Sequence, residues 1–333
     1  MHGPGTTEFE NFCSNLGWRY IGRPWDDTIW KSGSPAPNFQ FINQLRQQQL
    51  CPIVDMSVEH WGGATSKCIE STYNLLEQNF TRFLLLTHNL ADHKTRDKLL
   101  FYPYWYYKTQ KNFSTPTSTK TPKQYKVSCL NHRPRFHRKA NFIKLLSKSY
   151  RGEIFTKILA KNLINSTRPD DYELDLDTID KWQKISESLP QEPITNIWNH
   201  YKDNTHLAYD DSYINLVTES TVLPQVFITE KTWKAVASGQ LFLILGNPGS
   251  VDCLRKLGVD TFDDVINHEY YDRESDWEKR LDKLHEILDD VVSQDLSKLW
   301  AQTYHRRLDN QNKFLANAFD PGYKDELLNI LSQ

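Results

Sequence analysis

Residues 213–262 constrain this chain most, because they read strand, helix, strand with charged side chains at the strand exits. The apolar run Ile214–Thr218 delivers Glu219 and Ser220 at its carboxyl end. Thr229 stands as the N-cap of a helix of about ten residues in which Trp233, Val236 and Ala237 share a face, and Gly239 fits the left-handed residue that stops it. Leu241–Leu245 is apolar on both faces, as an interior parallel strand is. Gly246-Asn247-Pro248-Gly249-Ser250 then turns the chain into another helix that ends near Gly258. Open α/β sheets bind ligands outside the carboxyl ends of their strands. Glu219, Thr229, Glu230, Lys231 and the glycine turn therefore share one rim, and Lys231 beside free amides at a helix N-terminus suits a phosphate.

A chain of 333 residues is long for one core, so two domains are expected. Five cysteines (Cys13, Cys51, Cys68, Cys129, Cys253) are scattered and lack CxxC or Cys/His spacing, which indicates neither a disulfide framework nor a metal site. The N-terminus has no basic stretch followed by an apolar one, and no run approaches the length of a membrane span. The expectation is a soluble, cytoplasmic protein with no transmembrane segment.

The net charge of −2 is unevenly spread. Residues 1–93 hold 6 basic and 9 acidic side chains, residues 94–161 hold 17 and 2, and residues 162–333 hold 17 and 31. The middle segment is thus +15. It reads either as a surface offset by the acidic remainder of the chain or as a footprint for a polyanion.

Strands are expected at 18–21, 52–56, 82–87 and 99–102, with helices at 38–49 and 68–78 between them. Residues 112–124 (NFSTPTSTKTPKQ) lack periodicity and read as a linker or flexible loop. Tyr125–Leu130 resumes as a strand and Arg138–Ser149 as a helix. Residues 165–200 are polar and acidic, and from Trp277 onward two or three amphipathic helices follow. The expected division is an N-terminal α/β domain over 1–123, including a linker at 112–123, and a C-terminal α/β domain over 124–333 with a helical end.

A lysine at a helix start opposes the dipole unless an anion is bound there, so Lys231 is read as a ligand for one. Glu219 ends an apolar strand, where a carboxylate needs partners. It serves either as a grip on hydroxyls such as those of a ribose or as a structural salt bridge. Asn131-His132-Arg133-Pro134-Arg135-Phe136-His137-Arg138 follows a strand and precedes a helix, and guanidinium groups there bind phosphate oxygens bidentately. Spacing alone does not choose among the arginines. In the first domain Glu59 is a candidate general base, with His60 and His88 as rivals, while Asp55 and Ser57 read equally as helix caps. The aromatic run 101–107 packs an interface or stacks on sugars or bases. The P-loop, GxGxxG, HExxH and GxSxG signatures are absent from the sequence.

Thr218-Glu219-Ser220 with Phe227-Ile228-Thr229-Glu230-Lys231, then an apolar strand and a glycine-proline turn, resembles the donor-binding motif of α1,3-fucosyltransferases, glycosyltransferase family 10. In that motif an F-E-N-S core precedes Y-[IV]-T-E-K, so this chain lacks the asparagine and has Phe227 in place of the tyrosine. The stretch 125–146 resembles the family's first C-terminal strand, loop and helix. Arg138, with Arg135 as a close rival, matches the phosphate-binding arginine, and Asn131 lies at the strand end. Glu59 falls near the place of the family's general base.

The resemblance implies a GT-B fold, two Rossmann-like domains facing a central cleft. It also implies metal-independent, inverting transfer of a fucose-like sugar from a nucleotide sugar, GDP-linked in characterised members, with no further cofactor. Glu59 would take the acceptor proton, Lys231 and an arginine would stabilise the leaving diphosphate, and Glu219 and Glu230 would bind hydroxyls. The acceptor is expected to be a glycan. A hydroxylated DNA base met by the basic segment 94–161, or a non-catalytic polyanion- or nucleotide-sugar-binding role, are the alternatives.

Overall fold

The computed structural model describes residues 7–22, 29, 37–57, 65–93, 95–110, 121–130, 135–157, 207–222, 224–320 and 322–332. Glu59, His60, Asn131, the 165–200 stretch and most of the expected linker lie outside them. The chain divides into two compact units. One comprises Met1–Lys108, Gln225–Phe227 and Asp320–Gln333, and the other Thr109–Pro224 and Ile228–Phe319.

Among the described residues the first unit holds four parallel strands in the order β1 (Trp18–Ile21), β2 (Cys51–Asp55), β3 (Leu84–Thr87), β4 (Leu99–Phe101). Two-residue periodicity splits its apolar side chains between the faces. Val54 and Leu85 pack on one face with Ile42 and Leu45 of helix α2 (Phe39–Gln47) and Leu76 of α3 (Thr65–Asn79). Ile53, Leu84, Leu86 and Leu100 pack on the other with Phe9 of α1 (Thr7–Asn15). The aromatic run mostly serves this core, because Phe101, Tyr102 and Tyr106 are buried and Tyr107 stacks on Tyr102 with centroids 5.2 Å apart. Tyr106 and Tyr107 belong to α4 (Tyr104–Gln110).

This division places 109–123 with the second unit, whereas the expected boundary stands at 123/124. The final helix, Tyr323–Ser332, belongs to the first unit. Its Leu327 and Leu331 complete the core around Trp18, whose indole N–H donates to the Leu331 carbonyl at 3.1 Å.

The second unit holds β5 (Tyr125–Leu130), β6 (Ile154–Lys157), β7 (Ser212–Thr218) and β8 (Leu241–Leu245), all parallel, in the order β6-β5-β7-β8. Every residue of β7 and β8 is buried; β8 is a continuous apolar run, as an interior parallel strand is, and in β7 the buried Ser212 and Asn215 are hydrogen-bonded to Ser128 and Gln240. The winding reverses direction between β5 and β7. Helix α5 (Phe136–Leu146) follows β5, and the four-residue α6 (Leu207–Asp210) leads into β7. After them come α7 (Glu230–Ala237), α8 (Ser250–Lys256), α9 (Glu269–Asp272), α10 (Trp277–Val292), α11 (Leu296–Gln302) and α12 (Tyr304–Leu315). Gly239 and Gly258 adopt the left-handed φ values of +60° and +88° expected of helix stops. α10 packs against α5 and β8, and α12 packs against α7. Two separately wound parallel α/β units match the make-up expected of the GT-B class. Among the described residues no helix is long and apolar enough to cross a membrane.

Candidate functional site at the strand reversal of the second unit

Where winding reverses, the loops leaving adjacent strands part and leave a crevice at their carboxyl ends. Here those strands are β5, followed by Arg135 and Arg138, and β7, followed by Glu219 and Ser220. The backbone N–H of Glu219 donates to the Leu245 carbonyl at 2.9 Å, which extends the ladder one residue beyond Thr218.

The Glu219 carboxylate is fully buried and satisfied inside the protein. One oxygen accepts from the Thr229 backbone N–H at 2.9 Å and the Thr232 hydroxyl at 2.6 Å. The other accepts from the Thr229 hydroxyl at 2.5 Å and the Ser220 N–H at 3.3 Å. Four donors on one carboxylate offset the cost of burying its charge. The sequence pattern left a hydroxyl grip and a structural salt bridge open; what this carboxylate meets is two hydroxyls and two amides of its own chain.

Thr229 is the N-cap of α7, with extended backbone (φ −109°) and its hydroxyl 3.5 Å from the Lys231 N–H. The Lys231 ammonium lies 3.0 Å from the Thr229 hydroxyl, 3.1 Å from that of Ser220 and 3.2 Å from a Glu230 carboxylate oxygen. A quarter of its side chain remains accessible. Burial pushes the Glu230 carboxyl up, but the charges of Lys231 and Lys234 outweigh it and hold the group below the usual glutamate range.

Across the reversal, Arg135 occupies the N-cap position of α5 and is exposed, whereas Arg138 is buried. Arg138 donates to the carbonyl of Glu219 at 3.0 Å and, at 3.4 Å, to that of Thr218. Burial, then repulsion from Arg135, pushes Arg138 down to about 10 despite attraction from Glu219 and Glu230. His137, also buried, donates from Nε2 to the Glu219 carbonyl at 2.9 Å. Burial and the Arg138 charge hold this imidazole well below the usual histidine range, and Arg135 and Lys231 add to the effect. The structure thus brings Arg135, Arg138, Glu219, Thr229, Glu230 and Lys231 within electrostatic reach of one another.

The glycine turn departs from expectation. The amides of Val251 and Asp252 at the start of α8 donate to the Asp272 carboxylate at 2.9 and 3.1 Å, and the Gly249 N–H donates to the Asp272 carbonyl at 2.8 Å. The protein's own acid therefore takes the amides that this turn was expected to add to the rim beside Lys231. Burial pushes the Asp272 carboxyl above its usual range against the pull of those amides. Asp272 lies 22 positions beyond Ser250 in a four-residue helix, and nothing in the local pattern of the turn announces it. Thr232 and Ser220 were also missed as site residues, although a second threonine three positions after an N-cap threonine is the signal that was available for one of them.

Phe227 is buried and meets the His88 ring edge-on at 4.7 Å within the first unit's grouping. His88 itself is held by the Met56 carbonyl at 3.2 Å. Asp55 accepts from Tyr20 at 2.6 Å and from the Ser57 N–H at 2.8 Å, a local turn bond, and the next described helix begins only at Thr65. Within the basic segment, Lys126, Lys144 and Lys148 pair with Glu153, Asp282 and Asp289 at 2.9, 2.6 and 2.6 Å, so part of its charge is offset inside the second unit.

No family model and no curated protein matches the sequence. Among solved structures, T4 phage BGT in complex with UDP and Mn2+ overlaps 95% of this chain and 82% of its own at 14% identity and a TM-score of 0.41. A crystal structure of the DNA modifying enzyme β-glucosyltransferase, in the presence and absence of uridine diphosphoglucose, covers 100% and 97% at 14% identity and a TM-score of 0.39. Overlap with so few identical residues and so low a TM-score establishes neither a shared family nor a shared activity.

Proposed function

We propose that the protein is a glycosyltransferase that moves a sugar from a nucleoside diphosphate sugar to a hydroxyl, with the donor held at the reversal point of the second sheet. The observation that supports this most is the convergence there of two arginines from the α5 start with Lys231 at the α7 start, since cations at a strand-reversal crevice suit a diphosphate. Exposed Arg135 and partly accessible Lys231 meet the phosphate oxygens, while Arg138 holds the carbonyls beneath them. Bond breaking at the anomeric carbon leaves charge on the diphosphate, which these cations stabilise in place of a divalent ion. Glu230 binds donor hydroxyls. Fucose as the sugar rests on the motif resemblance alone, and Glu59 as the base that takes the acceptor proton rests on that resemblance and on its place just past the expected strand 52–56.

A thermal-shift series across GDP-, UDP- and CMP-sugars in EDTA tests the reading. A donor at about 100 times its dissociation constant adds about 2.7 kcal/mol of stability. If no nucleotide sugar shifts the melting point, the reading fails; a response to UDP-glucose but not GDP-fucose removes the fucosyl assignment alone. A glycan is the acceptor that the resemblance implies. A second reading, transfer to a hydroxylated DNA base, is favoured by the +15 charge of residues 94–161. Retention on duplex DNA that falls steeply with salt supports it, and elution at low salt supports the glycan.

A further inference from the structure

We propose that Glu219 is a positioning residue: it orients the hydroxyls that fix the Lys231 ammonium, and it does not itself bind the donor. The Thr229 hydroxyl has one proton, and at 2.5 Å that proton goes to the Glu219 carboxylate, which can only accept. The lone pairs of the same oxygen are thereby turned outward, and Lys231 donates to them from 3.0 Å. The second anchor is positioned through its backbone rather than through its hydroxyl proton. The Ser220 N–H is bound by the same carboxylate oxygen, and the Ser220 hydroxyl receives Lys231 at 3.1 Å.

The hub is braced from every side within the second unit. Its backbone carbonyl takes His137 and Arg138, its N–H ties to Leu245, and its other oxygen holds Thr232 of α7. A methyl group added at Gly246 would stand 3.4 Å from the Glu219 Cβ and 2.8 Å from the Ser250 hydroxyl, so the next strand exit closes against it. The backbone of this one residue ties the end of β7 to β8 and to the start of α5, and its carboxylate ties it to the start of α7, where the ammonium is held. The consequence for phosphate binding rests on the donor-site reading above; the placement of Lys231 does not.

The experiment follows the rate of trace acetylation at each lysine of the full-length folded protein by mass spectrometry. In Glu219→Gln the new amide N–H faces the Thr229 hydroxyl, and Lys231 loses its oriented acceptor. Its rate relative to Lys126 and Lys148 is expected to rise about tenfold, the change that losing one charge-assisted hydrogen bond produces. Thr229→Val is expected to reproduce the rise, and Thr229→Ser, which keeps the hydroxyl, to restore the wild-type rate; this pair decides the matter should Glu219→Gln fail to fold. An unchanged Lys231 rate in folded Glu219→Gln overturns the proposal, as does an unchanged rate in Thr229→Val or a uniform rise at all lysines that Thr229→Ser shares. Pyrophosphate, UDP and GDP titrations form a separate arm. If wild type binds none of them while Lys231 reactivity responds as expected, the positioning role stands and the donor-site reading falls. If Glu219→Gln releases Lys231 yet binds these anions as wild type does, the phosphate consequence is wrong.

Discussion

Two neighbouring helices of the second unit begin just past the ends of adjacent strands, and they treat the same physical opportunity in opposite ways. Both α7 and α8 present backbone amides and the positive end of a dipole at the carboxyl edge of the sheet. At α8 the glycine turn gives the backbone freedom, Gly249 taking φ +81°, and the amides are then closed off by Asp272. At α7 the cap is a threonine whose hydroxyl is committed to a buried glutamate, and a lysine is held over the first turn. A glycine-rich turn before a helix therefore does not by itself mark an anion site. A carboxylate of the protein takes backbone amides at both starts, Glu219 that of Thr229 and Asp272 those of Val251 and Asp252, and the difference lies in the ammonium held over the first turn of α7.

The widest separation between the two helix starts is expected in ligand response. Lys231→Ala should abolish the donor-induced stabilisation, a loss of about 2.7 kcal/mol at saturating ligand, while moving the ligand-free melting point little. Asp272→Asn should do the reverse. With two buried amides left sharing a weaker acceptor, it should cost about 2 kcal/mol in the absence of ligand and leave the donor shift intact. Paired melting curves with and without nucleotide sugar measure both. A donor shift that survives Lys231→Ala and vanishes in Asp272→Asn would exchange the roles assigned to the two helices.

The α5 arginines sharpen the same contrast across the reversal. Arg138→Ala removes a donor from the Thr218 carbonyl and one of the two side-chain donors, the other being His137, from that of Glu219, and should destabilise the protein by about 2 kcal/mol. Arg135→Ala, at an exposed position, should change stability by less than about 0.5 kcal/mol and weaken nucleotide binding instead. Urea midpoints set against binding isotherms separate the two, and a stability loss of similar size in both variants would show that exposure does not divide their labour.

How much of this was legible in the sequence follows from which interactions are local. Strand β8 and the stop at Gly239 were readable because an apolar run and a glycine carry their own signal. β7 starts at Ser212, two residues earlier than the apolar run, because Ser212 is buried by hydrogen bonds to Ser128 and Gln240, both remote in sequence. Leu327 and Leu331, four apart, mark an amphipathic final helix, but nothing in that spacing says that it covers the first sheet. Arginines and Lys231 at strand exits were visible. Which arginine is buried, that Glu219 is used internally and that Asp272 closes α8 depend on contacts between segments distant in the chain, and local pattern holds no record of those.

The smallest expected effect is also the most direct test of the two helix starts, because their acids are shifted in opposite directions. Glu230 at α7 is held below the usual range of about 4.5 and Asp272 at α8 above its usual 3.8. A depressed carboxyl contributes stability that is present above the unfolded value and is lost as pH falls through the folded one. The margin of wild type over Glu230→Gln should therefore shrink as pH falls below about 4.5. A raised carboxyl contributes stability that is present below the unfolded value and is lost as pH rises through the folded one. The margin of wild type over Asp272→Asn should accordingly be largest below about pH 3.8 and shrink as pH rises. Urea midpoints of the three proteins between about pH 3.5 and 6 give both slopes. Opposite signs mean that α7 keeps a true ion pair beside its lysine whereas α8 is sealed by an acid that the fold would rather protonate. Slopes of the same sign would remove the electrostatic distinction between the two helix starts.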